Sequence, residues 1–412
     1  MIRRRLPLLL SLVLALPAAH AIEFTPQELA RASTLQRTLL TLDSHLDTPA
    51  NLARPGFDIL QRHAHNALSQ VDYPRMVEGA LDGGFWAIYT DQGDRTASAH
   101  RAERDHGLQR LLEIREMLAA HPDRFQLALT ADDAARIKAA GKRVVYISME
   151  NASPLVADPD LLSFYHQAGL RMLSTAHFAN TEFADSATDP KGAEWNGLSP
   201  AGKALVQAAV QRGIVIDQSH ASDAVFDQLL AMLPVPFVLS HSSAKAVYNH
   251  PRNLDDARLR QLAAKGGVIQ VNAYGGYLLD PGASAERKQA EQALEQRLGG
   301  WDRMGIEKGT ELATALAELD QRYPVRKATL DDFFAHFEHI LKVAGAAHVG
   351  IGLDWDGGGG VVGLEDVSDL PKITAWLQRK GYSDAQIAGI WGGNLLRVMR
   401  QVQAYAAQDS AR

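Results

Sequence analysis

Apolar runs recur along the chain, and most of them end on a polar or ionisable residue. The expected strands are Leu39 to Asp47, Gly84 to Thr90, Val144 to Glu150, Leu170 to His177, Ile214 to Gln218, Phe237 to His241, Val268 to Ala273 and Val349 to Leu353. Helix-like segments separate them, clearest at Ala99 to Ala120, Ala201 to Arg212, Asp223 to Leu233 and Asp255 to Lys265. Strand and helix in alternation are the signature of repeated βα units around a parallel sheet. Eight such strands predict an α/β fold of TIM type, a (β/α)8 barrel with insertions. Ser199-Pro200 and Thr329 with Asp331-Asp332 supply helix starts, and Gly213 and Gly266 supply stops.

Two stretches break this rhythm. Residues 51–73 lack clear periodicity, and residues 275–326 form a long polar insertion after the seventh strand. Insertions at the catalytic face of a barrel often serve as lids or substrate walls. No internal repeat or linker divides the chain, so one barrel domain is expected over residues 22–412. Before it, residues 1–21 combine three arginines, an apolar run from Leu6 to Leu16 and the small-x-small end Ala19-His20-Ala21. This is the pattern of a cleaved secretory signal peptide, and its apolar run is short for a membrane span. This leader predicts a soluble, exported protein of the bacterial periplasm.

Composition narrows the partners. The 412 residues carry 46% hydrophobic positions and no cysteine, so a disulfide scaffold and a cysteine-linked lipid anchor are excluded. The formal charge of −6 becomes more negative once the leader's arginines are removed, and charges of both signs are interspersed. Nucleic acid and anionic membrane surfaces are therefore not expected as partners.

Strand ends carry the candidate chemistry. His45 and Asp47 close the first strand, Glu150 the third, His177 the fourth, His220 the fifth, His241 the sixth and Asp354 the eighth. In a parallel barrel these ends open onto one face, so residues some 300 positions apart can converge there. Residues two apart in a strand point to the same side, which lets His45 and Asp47 reach one metal. A carboxylate at Glu150 in a barrel mouth is costly unless paired or metal-bound, and a bridging role between two cations is natural. Neutral imidazole suits zinc, and the whole set points to a metal-dependent hydrolase. Taken singly, His-x-Asp reads equally as a turn cap, His220 or His241 as a buried core histidine, and Asp354 with Asp356 as caps of a glycine-rich turn. His63 and His65 make a competing His-x-His pair, but no strand precedes them. They read as a loop or helix-surface pair, and His336 and His339 as partly solvated helix residues. Gly357 to Gly360 lacks the lysine of a phosphate loop.

In order along the chain, DSHLDTP at Asp43, QVDYPRMVEGALDGGFWAIY, GLSPAGKALV, IDQSHAS, LSHSSAKAV, HPRN, GGVIQVNAY, GIGLDWDG and GNLLRVM at Gly393 resemble the membrane (renal-type) dipeptidases, metallopeptidase family M19. The resemblance implies a TIM barrel, two zinc ions (Zn2+) per chain, hydrolysis of dipeptides and commonly a homodimer. It implies that His45 and Asp47 hold one zinc, His220 and His241 the other, and that Glu150 bridges them. It further implies Asp354 as the base that contacts the catalytic water, His177 as the oxyanion partner, Arg252 as the grip on the dipeptide carboxylate and Tyr274 as a wall of the same pocket. Asn151-Ala152-Ser153 stands where the family has a glycine-rich phrase. The expected function is an exported zinc dipeptidase without a membrane anchor after cleavage. The alternatives are a same-fold amidohydrolase acting on a modified peptide or a D-amino-acid amide, and a catalytically silent periplasmic maturation protein.

Overall fold

The computed structural model describes residues 22–64, 68–299 and 304–409. The leader, residues 1–21, and His65 lie outside the described residues. Nine parallel strands form one sheet: β1 (Leu42–Leu46), β2 (Gly83–Tyr89), β3 (Phe125–Leu127), β4 (Arg143–Glu150), β5 (Leu170–Ser174), β6 (Val215–Asp217), β7 (Val238–Ser242), β8 (Val268–Val271) and β9 (Val349–Ile351). Eight run in the order β1-β2-β4-β5-β6-β7-β8-β9, and β3 hangs outside the ring on β4. The ring closes where Leu46 bridges Trp355 in parallel and the Asp47 amide donates to the Trp355 carbonyl at 2.9 Å. This is the expected (β/α)8 barrel. The strand that the apolar pattern does not reveal is β3, whose three residues are too few to show a period.

Helices occupy the expected connections, at Ala97–Ala120, Pro200–Gln211, Asp223–Met232 and Asp256–Ala264. Ser199, Ser222 and Asp255 each cap the helix that follows by accepting a backbone N–H, so the helix starts are written into the chain. The barrel axis is crowded. A side chain at Gly352 would meet the Ser240 carbonyl at 1.9 Å and Ser44 Oγ at 2.4 Å, so the chain passes there only as glycine. Asp43 straps the last strand to the first, accepting from the Leu353 and His45 amides, and burial raises its pKa to about 7.

Within residues 275–326 the described residues form short helix Gly275–Leu278 and a helical pair, Ala285–Leu298 and Gly309–Arg322. The pair has a small core of its own, formed by Leu68, Leu294, Leu298, Met304 and Leu312. Backbone bonds from Ile306 to Pro55 (3.0 Å) and from Arg326 to Pro281 (2.9 Å) fasten it. Among the described residues no helix is long and apolar enough to cross a membrane.

One histidine departs from its expected setting. His336 is not solvated: it is fully buried on helix Leu330–Ala344, where Nδ1 accepts from the Ala244 amide at 3.0 Å and Nε2 meets the Leu278 carbonyl at 3.0 Å. Since Nδ1 accepts, Nε2 carries the proton and donates, so one imidazole satisfies two backbone groups from segments distant in sequence. The helical spacing alone gave no sign of those distant partners. His339 is half-buried against Asp256 at 2.6 Å. His336→Leu keeps the volume but orphans both backbone groups, and should cost about 2–4 kcal/mol in urea unfolding. A cost below about 0.5 kcal/mol would show that these bonds are replaced by water.

Candidate metal centre

Seven side chains singled out at strand ends meet at the C-terminal mouth of the barrel. His45 lies within β1 and Asp47 just past it, Glu150 ends β4, His241 lies in β7, and His177, His220 and Asp354 each stand three residues past β5, β6 and β9. All are at most 7% exposed. Three sets of ligand atoms each fall within 4.8 Å: His45, Asp47 and Glu150; Glu150, His220 and His241; and His45, His241 and Asp354.

Glu150 joins the first two sets. Its Oε2 is 3.3 Å from His45 Nε2, while its Oε1 is 3.3 Å from His220 Nε2, 3.5 Å from His241 Nε2 and 3.7 Å from His177 Nε2. His45 Nε2 also lies 3.4 Å from Asp47 Oδ2 and 3.9 Å from Asp354 Oδ1. Burial opposes the charge on Glu150, yet His45 and His177 outweigh it and hold its pKa well below the usual range. Burial likewise opposes a charged His45, but Glu150 and Asp47 raise its pKa well above normal. Burial drives His220 and His241 well below normal, reinforced by Arg252, so both are neutral. Asp354 is pushed well above the carboxylate range, by burial first and then by Asp47 and Glu150.

The local backbone is strained where it presents these groups. His220 has φ 70°, Asp354 φ 65°, and Asn151, next to Glu150, φ 55°. Non-glycine residues seldom adopt this region, and such outliers gather at functional sites. Asn151 is held by its amide to Ser174 Oγ (2.9 Å) and by its side chain to the Thr90 carbonyl (2.8 Å). Gly357 packs flat against the carboxylates, since a side chain there would meet Asp47 Oδ2 at 2.0 Å and Asp354 Oδ1 at 2.5 Å.

The donor set fits divalent cations, and a proton count shows why. Ser240 Oγ lies 2.6 Å from Asp217 Oδ2 and 2.8 Å from His241 Nδ1. Its single proton goes to the carboxylate, so His241 Nδ1–H donates to Ser240 and the Nε2 lone pair faces His220 Nε2 at 2.9 Å and Glu150 Oε1 at 3.5 Å. Lone pairs of imidazole and carboxylate thus converge in a buried site, an arrangement that a cation among them makes favourable. His45 Nε2 and Asp47 Oδ1 are buried without a hydrogen bond.

Arg252 is buried. It donates from Nη1 to Ser242 Oγ and from Nη2 to the His241 carbonyl, both at 2.6 Å, lies over the Tyr277 ring at 5.4 Å, and leaves Nε–H without a hydrogen bond. Tyr274 is half-buried, and burial and Asp354 raise its pKa. His63 is elsewhere, stacked on Phe57 and bonded to Asp58. The sequence reasoning passes over Asp217, Ser240, Tyr277, Gly357 and Phe178. Only the serine preceding His241 and the aspartate of IDQSH offered a signal, as polar positions inside apolar strands. Phe178, 52% exposed, covers the His177 ring at 3.9 Å between centroids.

A parallel barrel with buried histidines and carboxylates at its C-terminal mouth defines a metal-dependent hydrolase. The chain belongs to the membrane dipeptidase family, peptidase family M19, whose pattern matches residues 29–412. Dipeptidase tcpJ of Claviceps purpurea is 28% identical over 344 residues, covering 82% of this chain and 71% of that protein. Dipeptidase 3 of Rattus norvegicus is 28% identical over 384 residues, covering 92% and 68%. The crystal structure of the probable dipeptidase PvdM from Pseudomonas aeruginosa superposes with a TM-score of 0.77 at 28% identity, covering 92% of this chain and all of that one. The chain is thus a metallodipeptidase by family.

Gly357→Ala should displace both carboxylates and lower turnover by about 10²-fold, the scale of a 1 Å misplacement, with circular dichroism unchanged. His63→Ala, remote from the centre, should leave turnover near wild type. Normal turnover in Gly357→Ala would refute the tight packing of that loop on the site.

Proposed function

We propose that this protein is an exported dipeptidase that holds two zinc ions, with His45 and Asp47 on one, His220 and His241 on the other, and Glu150 between them. The observation that carries this reading is the division of the Glu150 oxygens, one toward His45 and one toward His220 and His241. Imidazole with carboxylate suits zinc. Export rests on the leader-like residues 1–21.

Bound zinc supplies Lewis acidity and acidifies water, so no nucleophilic side chain is required. Asp354, whose Oδ1 lies 3.9 Å from His45 Nε2, is placed to accept a proton from water when ionised and return it to the leaving amine. His177 is buried with a lowered pKa, so its neutral ring offers an N–H to a developing oxyanion. Arg252 keeps its Nε–H without a hydrogen bond. A guanidinium with a free donor suits a free C-terminal carboxylate, which marks a dipeptide and is missing from a continuing chain. Tyr274 and Tyr277 line the same side.

One assay tests these roles: zinc-loaded protein with free dipeptides beside their C-amidated counterparts. Free dipeptides should be strongly preferred. Asp354→Asn should lower kcat by about 10²- to 10⁴-fold while changing substrate affinity little. Arg252→Ala should reduce kcat/KM for free dipeptides with metal content unchanged, and matter little for the amides. Equal hydrolysis of free and amidated compounds, with a harmless Arg252→Ala, would favour the amidohydrolase acting on a modified peptide or D-amino-acid amide.

A further inference from the structure

Beside the metal centre lies a cavity of about 750 Å³ lined by none of the proposed ligands. One wall is the helix Gly309–Arg322 of the insertion, through Ala313 and Leu316; the other is the loop after β9, from Gly358 to Val362. Tyr274 stands at the boundary. A side chain at Gly358 would touch the Tyr274 ring at 3.0 Å, whereas one at the preceding Gly357 would strike the Asp47 and Asp354 carboxylates. Consecutive residues of one loop therefore contact the cavity's aromatic edge and the centre itself. Asp356 ties the two regions together, accepting from Thr48 Oγ1 at 2.8 Å and the Gln70 amide at 2.6 Å while lining the cavity.

The chemistry of the lining selects the occupant. Arg287 is paired with Glu291 at 2.7 Å and Asp320 at 2.8 Å, Lys327 with Asp320, and Arg326 with Asp332 at 2.7 Å. Glu365 accepts from the Gly363 amide at 2.9 Å. An ionised group entering the cavity would compete with these pairs and with the Asp356 carboxylate. Beside the polar Ser69 and Gln70, the contact surface is apolar: Leu316, Val325 and Val362, the last 50% exposed. The volume is that of a pocket for a sizeable ligand, roughly 300–1,000 Å³, and exceeds what a small dipeptide side chain fills.

We propose that this cavity is a specificity pocket for one bulky, uncharged side chain of the substrate, aromatic or long aliphatic, passing Tyr274 on its way from the centre. The proposal rests on the dipeptidase reading and names the substrate class within it. Ala313, half-buried on the far wall and remote from the catalytic groups, is the place to fill it.

The test measures kcat/KM for wild type and Ala313→Trp on dipeptides that keep alanine at one position and carry alanine, leucine, phenylalanine or naphthylalanine at the other, in both orders. In one order the wild type should prefer the largest side chains over alanine by about tenfold or more, on the scale of apolar pocket discrimination. Ala313→Trp should erase that preference while leaving Ala-Ala within about twofold of wild type, since a small side chain does not reach the far wall. Leu316→Lys, which introduces a charge without filling the space, should weaken the same preference and serves if the tryptophan variant folds poorly. A wild-type series that is flat or falls with size in both orders overturns the pocket, as does an equal loss for all dipeptides in both variants. Failure to cleave any dipeptide would defeat the dipeptidase reading itself, whereas cleavage without size preference defeats only the pocket.

Discussion

A carboxylate buried at the mouth of the barrel, Glu150, is the constraint around which the site is arranged. Removing an ion of this size from water costs several kcal/mol even after the surroundings relax, and the cost must be met by opposite charge or coordination. Here the ends of β1, β6 and β7 bring imidazoles to both of its oxygens. Two of those imidazoles are held neutral by burial, so they supply lone pairs rather than charge. Neutral imidazoles and carboxylates turned toward one another form a set of lone-pair donors, which suits a cation site better than a static ion pair.

That arrangement is sustained by parts of the fold remote in sequence. Asp217 and Ser240 fix the tautomer of His241, as outer hydrogen bonds commonly do for metal-binding histidines. Asp43 and the Leu46–Trp355 bridge close the ring and set His45 opposite the loop that carries Asp354. Left-handed backbone at His220 and Asp354 stores strain that the surrounding barrel must offset. The mouth is then bounded by Phe178 on one side and the helical insertion on the other, so the same scaffold that fixes the chemistry leaves side-chain selection to loops.

Much of this was readable in the chain. Eight strands that the apolar runs mark are present, because strands buried on both faces must be apolar throughout. The strand-end residues converge because a closed parallel barrel leaves no other face for them. What escaped sequence reasoning depends on contacts between distant segments. β3 is too short to show periodicity, His336 takes its partners from residues 244 and 278, and Arg252 becomes a buried group only once β7 and the short helix bearing Tyr277 enclose it. Gly357 looked like one of four equivalent glycines, and only its position against Asp47 and Asp354 sets it apart. The polar composition of residues 275–326 hid a helical pair because its small core draws Leu68 from another part of the chain.

The central claim is that Glu150 lies between two cation sites. Anomalous diffraction from crystals of the zinc-loaded protein, collected on either side of the zinc absorption edge, tests it most directly. The account predicts two zinc peaks flanking Glu150, one beside His45 and Asp47 and one beside His220 and His241. A single peak at full zinc loading, or two peaks of which either lies away from Glu150, would contradict it.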